Sequence, residues 1–344
     1  MFILGGSNML AAVWEKGQIK LIDKPEPLIN DDEILIKVLA SGICGTDLHI
    51  FAGRGYAKDN IVRGHEFAGR VVKVGKNVLG IKEGDLVAVD PNITCGHCYF
   101  CRRGEIHLCE NLRAIGVDMD GGFAEYCKVS FKQAYPFSEI SPIEGAMMEP
   151  VACALHGIER IGIHLGDTVL IVGAGALGLI LLQLSYFYGA SSVIVVEIDE
   201  EKREIAKEFG ASYVLSPSEE VSSVIKELTN GRGVDVGIEA VGKKETVLLT
   251  IDSVRRGGKV LIFGVSPKDD LINISPFDIY YRELTIMGSF VNPFTNSRAL
   301  RLIEDGRINV SKVVSHKFPL SEIHKAIEVG LSGKSLRVMI TFEE

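Results

Sequence analysis

A chain of 344 residues is long enough for about two domains. Its 47% hydrophobic and 24% charged residues are those of a soluble globular protein, and a formal net charge of −8 lacks the basic footprint that nucleic acid or an anionic membrane surface requires. The start, Met-Phe-Ile-Leu-Gly-Gly-Ser-Asn, carries no basic leader, and seven cysteines without an export signal suit a cytoplasmic protein whose thiols serve metals.

The first 150 residues read as short strands. Ala12–Glu15, Gln18–Ile22, Glu33–Leu39, Arg70–Val74 and Leu86–Val89 are β-branched or apolar runs, bounded by Pro, Gly, Asp and Asn clusters such as Lys24-Pro25-Glu26-Pro27. This spacing predicts a small barrel or sandwich rather than βα units. Two polar constellations interrupt it. Cys44-Gly45-Thr46-Asp47-Leu48-His49 and Gly64-His65-Glu66 bear the residue types of an open metal site. Then come Cys95, Cys98, Cys101 and Cys109, with gaps of two, two and seven residues. Four thiolates satisfy tetrahedral zinc and leave no position for substrate, so this loop, about 91–113, predicts a structural zinc lobe. A redox dithiol needs one exposed pair at a helix start, and four clustered thiols compete for a metal instead. His97 and His107 lie inside the loop, where the metal is already satisfied. Cys127 and Cys153 read as small buried residues.

From about Asp167 strands and helices alternate, which predicts a doubly wound parallel sheet. Strands are expected at Thr168–Val172, Ser192–Glu197, Tyr213–Leu215, Val234–Glu239, Lys259–Phe263 and Leu284–Met287, with helices at Ala176–Tyr188 and Glu200–Phe209. The longest apolar run, Val169–Leu182, has 14 residues and three glycines, short of the roughly 18 a membrane span needs. It holds Gly173-x-Gly175-x-x-Gly178 between a strand and a helix, the context in which that motif binds a dinucleotide pyrophosphate. Glu197 stands about 20 positions beyond, where a carboxylate accepts ribose hydroxyls and repels a 2′-phosphate. NAD is therefore expected over NADP, although Lys202 and Arg203 lie close by. Ala176, Leu177, Lys202, Val265 and Ser289 complete the expected cofactor-binding set. After Ser289 the elements are mixed and end in a strand at Leu336–Phe342, which predicts a tail that folds back on the first domain.

Taken together, these motifs resemble the zinc-dependent medium-chain dehydrogenase family, in its sorbitol-dehydrogenase-like branch. The resemblance runs through Cys44-Gly-Thr46-Asp47-Leu-His49, Gly64-His65-Glu66-x-x-Gly69, Gly84-Asp85, the cysteine lobe, Gly122-Phe123-Ala124-Glu125-Tyr126, Met148-Glu149-Pro150 and the glycine turn. It implies a GroES-like catalytic domain (1–151 and 290–344) around a Rossmann domain (152–289). It implies one catalytic and one structural zinc, with Cys44, His65, Glu66 and Glu149 around the catalytic ion in the cleft between domains. Where alcohol dehydrogenases proper carry a second cysteine, this chain has Glu149, as polyol enzymes do. Glu149 can also be read as a carboxylate behind the ligands. Thr46 then takes the alcohol proton, His49 passes it toward solvent, and Asp47 holds the His65 ring.

The expected activity is NAD-linked oxidation of a secondary alcohol, a polyol, sugar alcohol, sugar acid or inositol derivative. L-Threonine and 2,3-butanediol are alternatives in the same class, and a zinc- and nucleotide-binding protein without turnover is one from another. A small-molecule substrate and a homo-oligomer, dimer or tetramer, are expected, without nucleic acid or membrane partners. Phe51, Arg54, Tyr56, Phe290 and Asn292 are candidate pocket residues by position, and His156 lies about two helical turns after Glu149.

Overall fold

A computed structural model describes residues 8–53, 58–217 and 220–343, so Arg54 and Tyr56 lie outside the described residues. The chain divides into two compact units, residues 1–150 with 296–344, and residues 151–295.

The first unit is strand-rich. Strands β1 (Asn8–Glu15), β2 (Gln18–Pro25), β3 (Glu33–Ile43), β4 (Ile61–Val62), β5 (Glu66–Val74), β6 (Leu86–Val89), β7 (Asn92–Ile93), β8 (Arg113–Ala114), β9 (Tyr126–Ser130) and β10 (Ala134–Phe137) belong to it. A small sheet has the order β2-β1-β4, and β7 pairs with β8 at the base of the cysteine loop. In the main sheet β3 is central, bonded to β5 and β9, and its side chains are buried almost throughout. It runs on past Leu39, where the expected strand ends, through Ser41 and Gly42 to Ile43. Gly42 is there for space, since a Cβ would collide with the Glu66 carboxylate on the paired strand.

The second unit carries β11 (Thr168–Val172), β12 (Ser192–Val196), β13 (Tyr213–Leu215), β14 (Val234–Glu239), β15 (Val254–Ile262) and β16 (Thr285–Gly288). All are parallel, in the order β13-β12-β11-β14-β15-β16. Helices cover the faces, so strands such as Val169-Leu170-Ile171-Val172 are apolar without alternation. Strand order reverses between β11 and β14, the position where open α/β sheets bind ligands at their C-terminal ends. Strand β15 starts earlier than Lys259. The polar Arg255-Arg256-Gly257-Gly258 stretch is an irregularity in the β14–β15 pairing, with Arg255 donating to Asp235 (2.6 Å). Strand β16 is the sheet's edge. The unit extends past Ser289 because Thr295 Oγ1 donates to the Ala152 carbonyl (2.9 Å).

The tail returns to the first unit as β17 (Val314–Pro319) and β18 (Arg337–Thr341). Strand β18 pairs antiparallel with β3, Val338 opposite Ile43, and parallel with β17. Among the described residues no helix is long and apolar enough to cross a membrane.

Candidate functional site

At the end of β3 the chain turns through Cys44 into the helix Gly45–Phe51. Cys44 is its extended N-cap (φ −81°, ψ 158°), and Leu48 N–H donates to its carbonyl (3.1 Å). Between β4 and β5 stands Gly64, at φ +94°, where any Cβ would strike the Phe123 backbone and ring. Gly122 N–H and Phe123 N–H donate to the carbonyls of Gly64 and Arg63 (both 2.8 Å), fixing the turn that delivers His65 and Glu66. Two segments far apart in sequence thus converge. One ligand atom from each of Cys44, His65 and Glu66 lies within 4.8 Å of the others.

The electrostatics of this trio favour a cation. Glu66 is buried with neither carboxylate oxygen hydrogen-bonded, and His65 Nδ1 is equally without a partner. Burial alone pushes the His65 imidazole down, but Asp47, the Cys44 thiol and Glu149 outweigh it and hold the group up at about 10. Arg337 approaches Glu66 at 3.3 Å and donates to the Ile43 carbonyl (2.8 Å). Its own ionisation is raised against burial by Glu66, Cys44 and Glu149. A sulfur, a nitrogen and a carboxylate around a space of this size suit zinc, with coordination positions left for another ligand.

Glu149, in the first turn of the helix Met148–Ile161, is buried and feels the same charges, but it stands outside the trio. Thr46 is exposed in the first turn of the Cys44 helix, and His49 is half-buried near its end. Asp47 faces the His65 ring as an ion-pair partner rather than through a hydrogen bond. Its Oδ2 is 3.7 Å from His65 Nδ1, beyond hydrogen-bond reach, and instead accepts from Cys44 N–H (3.1 Å), while Oδ1 accepts from Arg63 Nη2 (3.0 Å). Arg63 and Arg337 are the site residues that motif reading misses. The only sequence signal for Arg63 is a charge in the otherwise apolar Ile61-Val62-Arg63 run.

The second cluster is closed. Sulfurs of Cys95, Cys98, Cys101 and Cys109 lie within 4.8 Å of one another. Backbone donors turn inward: Cys95 N–H and Asn111 N–H point to Cys109 Sγ (3.3 and 3.4 Å). The His97 backbone amide draws the Cys95 thiol down to about 6, and the Cys101 amide lowers Cys98, while burial and neighbouring sulfurs push Cys101 up to about 12. Amides aimed at sulfur stabilise thiolates, the form that binds metal. His97 is exposed and bonds the Cys95 carbonyl through Nδ1 (2.8 Å). Cys127 is buried, its thiol raised by burial.

At the glycine turn, Gly173 has φ +107°, and a Cβ on Gly178 would collide with the Gly173 carbonyl, so strand and helix pack backbone to backbone. A Cβ on Gly175 would meet nothing within 4 Å, which leaves room for a phosphate at the N-terminus of the helix Ala176–Phe187. Glu197, after β12, accepts from Ala174 N–H (2.7 Å) and Asp199 N–H (3.0 Å), so it ties the turn to the next strand. Lys202 is buried, its N–H capped by Asp199 (3.0 Å), and Arg203 Nη1 donates to the carbonyls of Glu197 (3.0 Å) and Ile198 (2.8 Å). Val265 is exposed and Ser289 Oγ is enclosed without a partner. Glu239, missed in the sequence, joins two loop tips at this end of the sheet: its Oε1 accepts from Val241 N–H, Gly242 N–H and Thr246 Oγ1 (2.7–2.8 Å), and its carbonyl takes Phe263 and Gly264 N–H. Of the candidate pocket residues, Phe51 packs on Trp14 (5.7 Å), Asn292 is buried and Phe290 is exposed. His156 is buried in the second unit.

Comparison with known proteins agrees with this geometry. Residues 176–305 match the zinc-binding dehydrogenase family and residues 30–139 the alcohol dehydrogenase GroES-like domain. D-arabinitol dehydrogenase 1 of Uromyces fabae is 34% identical over 339 residues, covering 97% of each chain. L-threonine 3-dehydrogenase of Pyrococcus horikoshii is 37% identical over 327 residues, covering 92% of this chain and 93% of its own. The crystal structure of a putative zinc-binding dehydrogenase from Sinorhizobium meliloti 1021 bound to NADP superposes with a TM-score of 0.94 at 40% identity, covering 98% of this chain and 100% of that one.

Proposed function

The chain belongs to the zinc-dependent medium-chain alcohol and polyol dehydrogenases, oxidoreductases that use zinc and a nicotinamide dinucleotide, and from that premise we propose that it oxidises a polyol or sugar alcohol at a secondary hydroxyl with NAD as hydride acceptor. The observation that carries the reading is the convergence of Cys44, His65 and Glu66 within 4.8 Å, with Glu66 buried and neither of its oxygens hydrogen-bonded although Arg337 stands 3.3 Å away. A zinc ion held by that trio would supply Lewis-acid polarisation to a substrate hydroxyl and so lower the cost of removing its proton. Cys44, His65 and Glu66 would hold the ion, and the Glu149 carboxylate is close enough to help raise the His65 imidazole. Thr46 relays the hydroxyl proton, releasing its own as it takes the substrate's, and His49 is the group that gives a proton to solvent.

Polyols are favoured because carboxylates stand where a thiolate would make a softer site. A harder, more expandable sphere suits a substrate that chelates through two neighbouring oxygens. NAD is favoured because the Glu197 carboxylate sits at the glycine turn, where it opposes a 2′-phosphate. The closed Cys95–Cys109 cluster takes a second, structural zinc. We further propose that the enzyme works in the cytoplasm as a homo-oligomer, a dimer or tetramer, in which the edge strand β16 pairs with a second copy.

A second reading has its own support in the 37% identity to an L-threonine 3-dehydrogenase, since an amino alcohol also chelates through neighbouring heteroatoms. The deciding experiment is an initial-rate screen of D-arabinitol, sorbitol, 2,3-butanediol, L-threonine and ethanol with NAD and NADP. The proposal expects kcat/KM to be highest for a polyol with NAD. Preference for L-threonine would transfer the assignment to the second reading, and no turnover of any alcohol would overturn both.

A further inference from the structure

Beside the open centre lies a guanidinium with no access to water. Arg63 and Asp47 are each 0% exposed. One nitrogen of Arg63, Nη2, donates to Asp47 Oδ1 at 3.0 Å, while Nε and Nη1 find no hydrogen-bond partner. An arginine buried on these terms is a poor packing element, because desolvating the cation and orphaning two nitrogens costs more than one ion pair returns. A methionine of similar length would fill the space better. The backbone offers no escape either: Arg63 N–H donates to the Ala12 carbonyl (3.2 Å), and the Arg63 carbonyl accepts from Phe123 N–H (2.8 Å), so the side chain is directed from a turn fixed on both sides.

The partner of that charge shows what it does. Asp47 divides its oxygens between Arg63 and the amide of Cys44 (3.1 Å), and the second oxygen also faces His65 Nδ1 at 3.7 Å. Arg63 therefore reaches two members of the trio through one carboxylate. Without the guanidinium, Asp47 is a buried anion with a single strong donor, free to rotate away from Cys44 and His65.

We propose that Arg63 is a positioning residue for the open metal centre: it locks the Asp47 carboxylate, which holds the Cys44 loop and faces the His65 ring, so that thiolate and imidazole stand in register before the ion arrives. The proposal rests on the reading of Cys44, His65 and Glu66 as a zinc site. Outer carboxylates that orient ligands are worth about 10–100-fold in metal affinity, and Arg63 adds one further link to that chain.

The closed cluster in the same unit supplies an internal reference. Zinc release from the purified holoenzyme is followed by competition with a chromophoric chelator, and the phase lost in Cys44→Ser identifies the open site. Arg63→Met should weaken that phase about 10–100-fold and leave the Cys95–Cys109 phase unchanged. Arg63→Lys should recover part of the loss. Arg63→Met combined with Asp47→Asn should be no weaker in zinc than the worse single variant, because both cut the same link. If Arg63→Met fails to fold, Arg63→Lys and Arg63→Gln carry the comparison, with the open-site phase weakening in the order Arg, Lys, Gln. Unchanged affinity at the open site, or equal weakening at both sites with a fallen melting temperature, overturns the proposal. A wild-type enzyme in which Cys44→Ser removes no phase overturns instead the zinc reading on which it rests.

Discussion

The two thiol-bearing regions of the first unit are built from opposite materials. Residues 95–109 gather four sulfurs from one short loop, with backbone amides turned onto the sulfurs and glycine positions such as Gly96 (φ +74°) and Gly104 (φ +78°) bending the chain around them. Every ligand is local, and the set is complete. The Cys44–His65–Glu66 trio instead draws a helix cap and a strand start from separate segments, with Arg337 from the last strand against Glu66 and Arg63 behind it on Asp47. It is mixed in ligand type, incomplete and supported over long range. A closed site can be made by sequence spacing alone. An open one must be held from outside, because positions left for substrate cannot also brace the ligands.

The largest test of that contrast is Cys44→Ser. It should remove one zinc and lower kcat/KM by a factor on the order of 10³ or more, since several kcal/mol of charge stabilisation leave with the ion, while circular dichroism and the other zinc persist. Cys98→Ser should do the reverse. It should lower the melting temperature by about 10 °C, for about 3 kcal/mol lost, with kcat nearly kept at low temperature, as calorimetry and kinetics on one sample would show. Equal loss of activity in both variants would erase the distinction between the sites.

Glu149→Cys softens the open site without emptying it. The ratio of kcat/KM for a vicinal diol over ethanol should fall about tenfold, and an unchanged ratio would remove the argument from ligand hardness. Glu197→Ala, far from either metal, should narrow the preference for NAD over NADP by roughly tenfold. The Ala174 amide loses its acceptor at the same time, so the KM for NAD should rise.

The smallest effect concerns Asp90, just before the β7 strand at the base of the closed loop. It accepts from Asn92 N–H, Asn92 Nδ2 and Asn296 Nδ2 (2.9–3.1 Å), yet burial lifts its carboxyl to about 6. Its folded value exceeds its unfolded one, so the protonated form favours the native state. That contribution is complete below the ordinary carboxylate range and is lost as pH rises through about 6. In Asp90→Asn the melting temperature should lose this component of its fall over that window, with zinc content at the open site unaffected.

Much of this was legible in the sequence because it is local. Leu86–Val89, Thr168–Val172, Tyr213–Leu215 and Val234–Glu239 are strands with the bounds their apolar runs announce. The cysteine cluster and the glycine turn follow from spacing. What escaped is long-range pairing. Nothing near Arg63 names Asp47 as its partner, and nothing near Arg337 names Glu66. The extension of β3 through Ser41-Gly42 depends on the strands that flank it, and the start of β15 is hidden by its irregular Arg-Gly stretch. The sequence suggests that Asp47 faces His65, but not that its other oxygen meets a buried guanidinium.

The return of the tail to β3 sets an order on assembly. Residues 151–295 leave the ribosome as one contiguous stretch with short connections between neighbouring strands, so this unit can fold while synthesis continues. The first 150 residues emerge sooner but cannot finish. Residues 40–43 at the end of β3 wait for β18, and the carbonyl of Ile43 waits for Arg337. Until residues 337–341 are made, the nascent chain presents an open edge at residues 40–43 of β3 beside two sets of reactive thiols. The first strand-rich segment is therefore completed only after residues 151–295 have been made, and in that interval its open edge is available for misassociation.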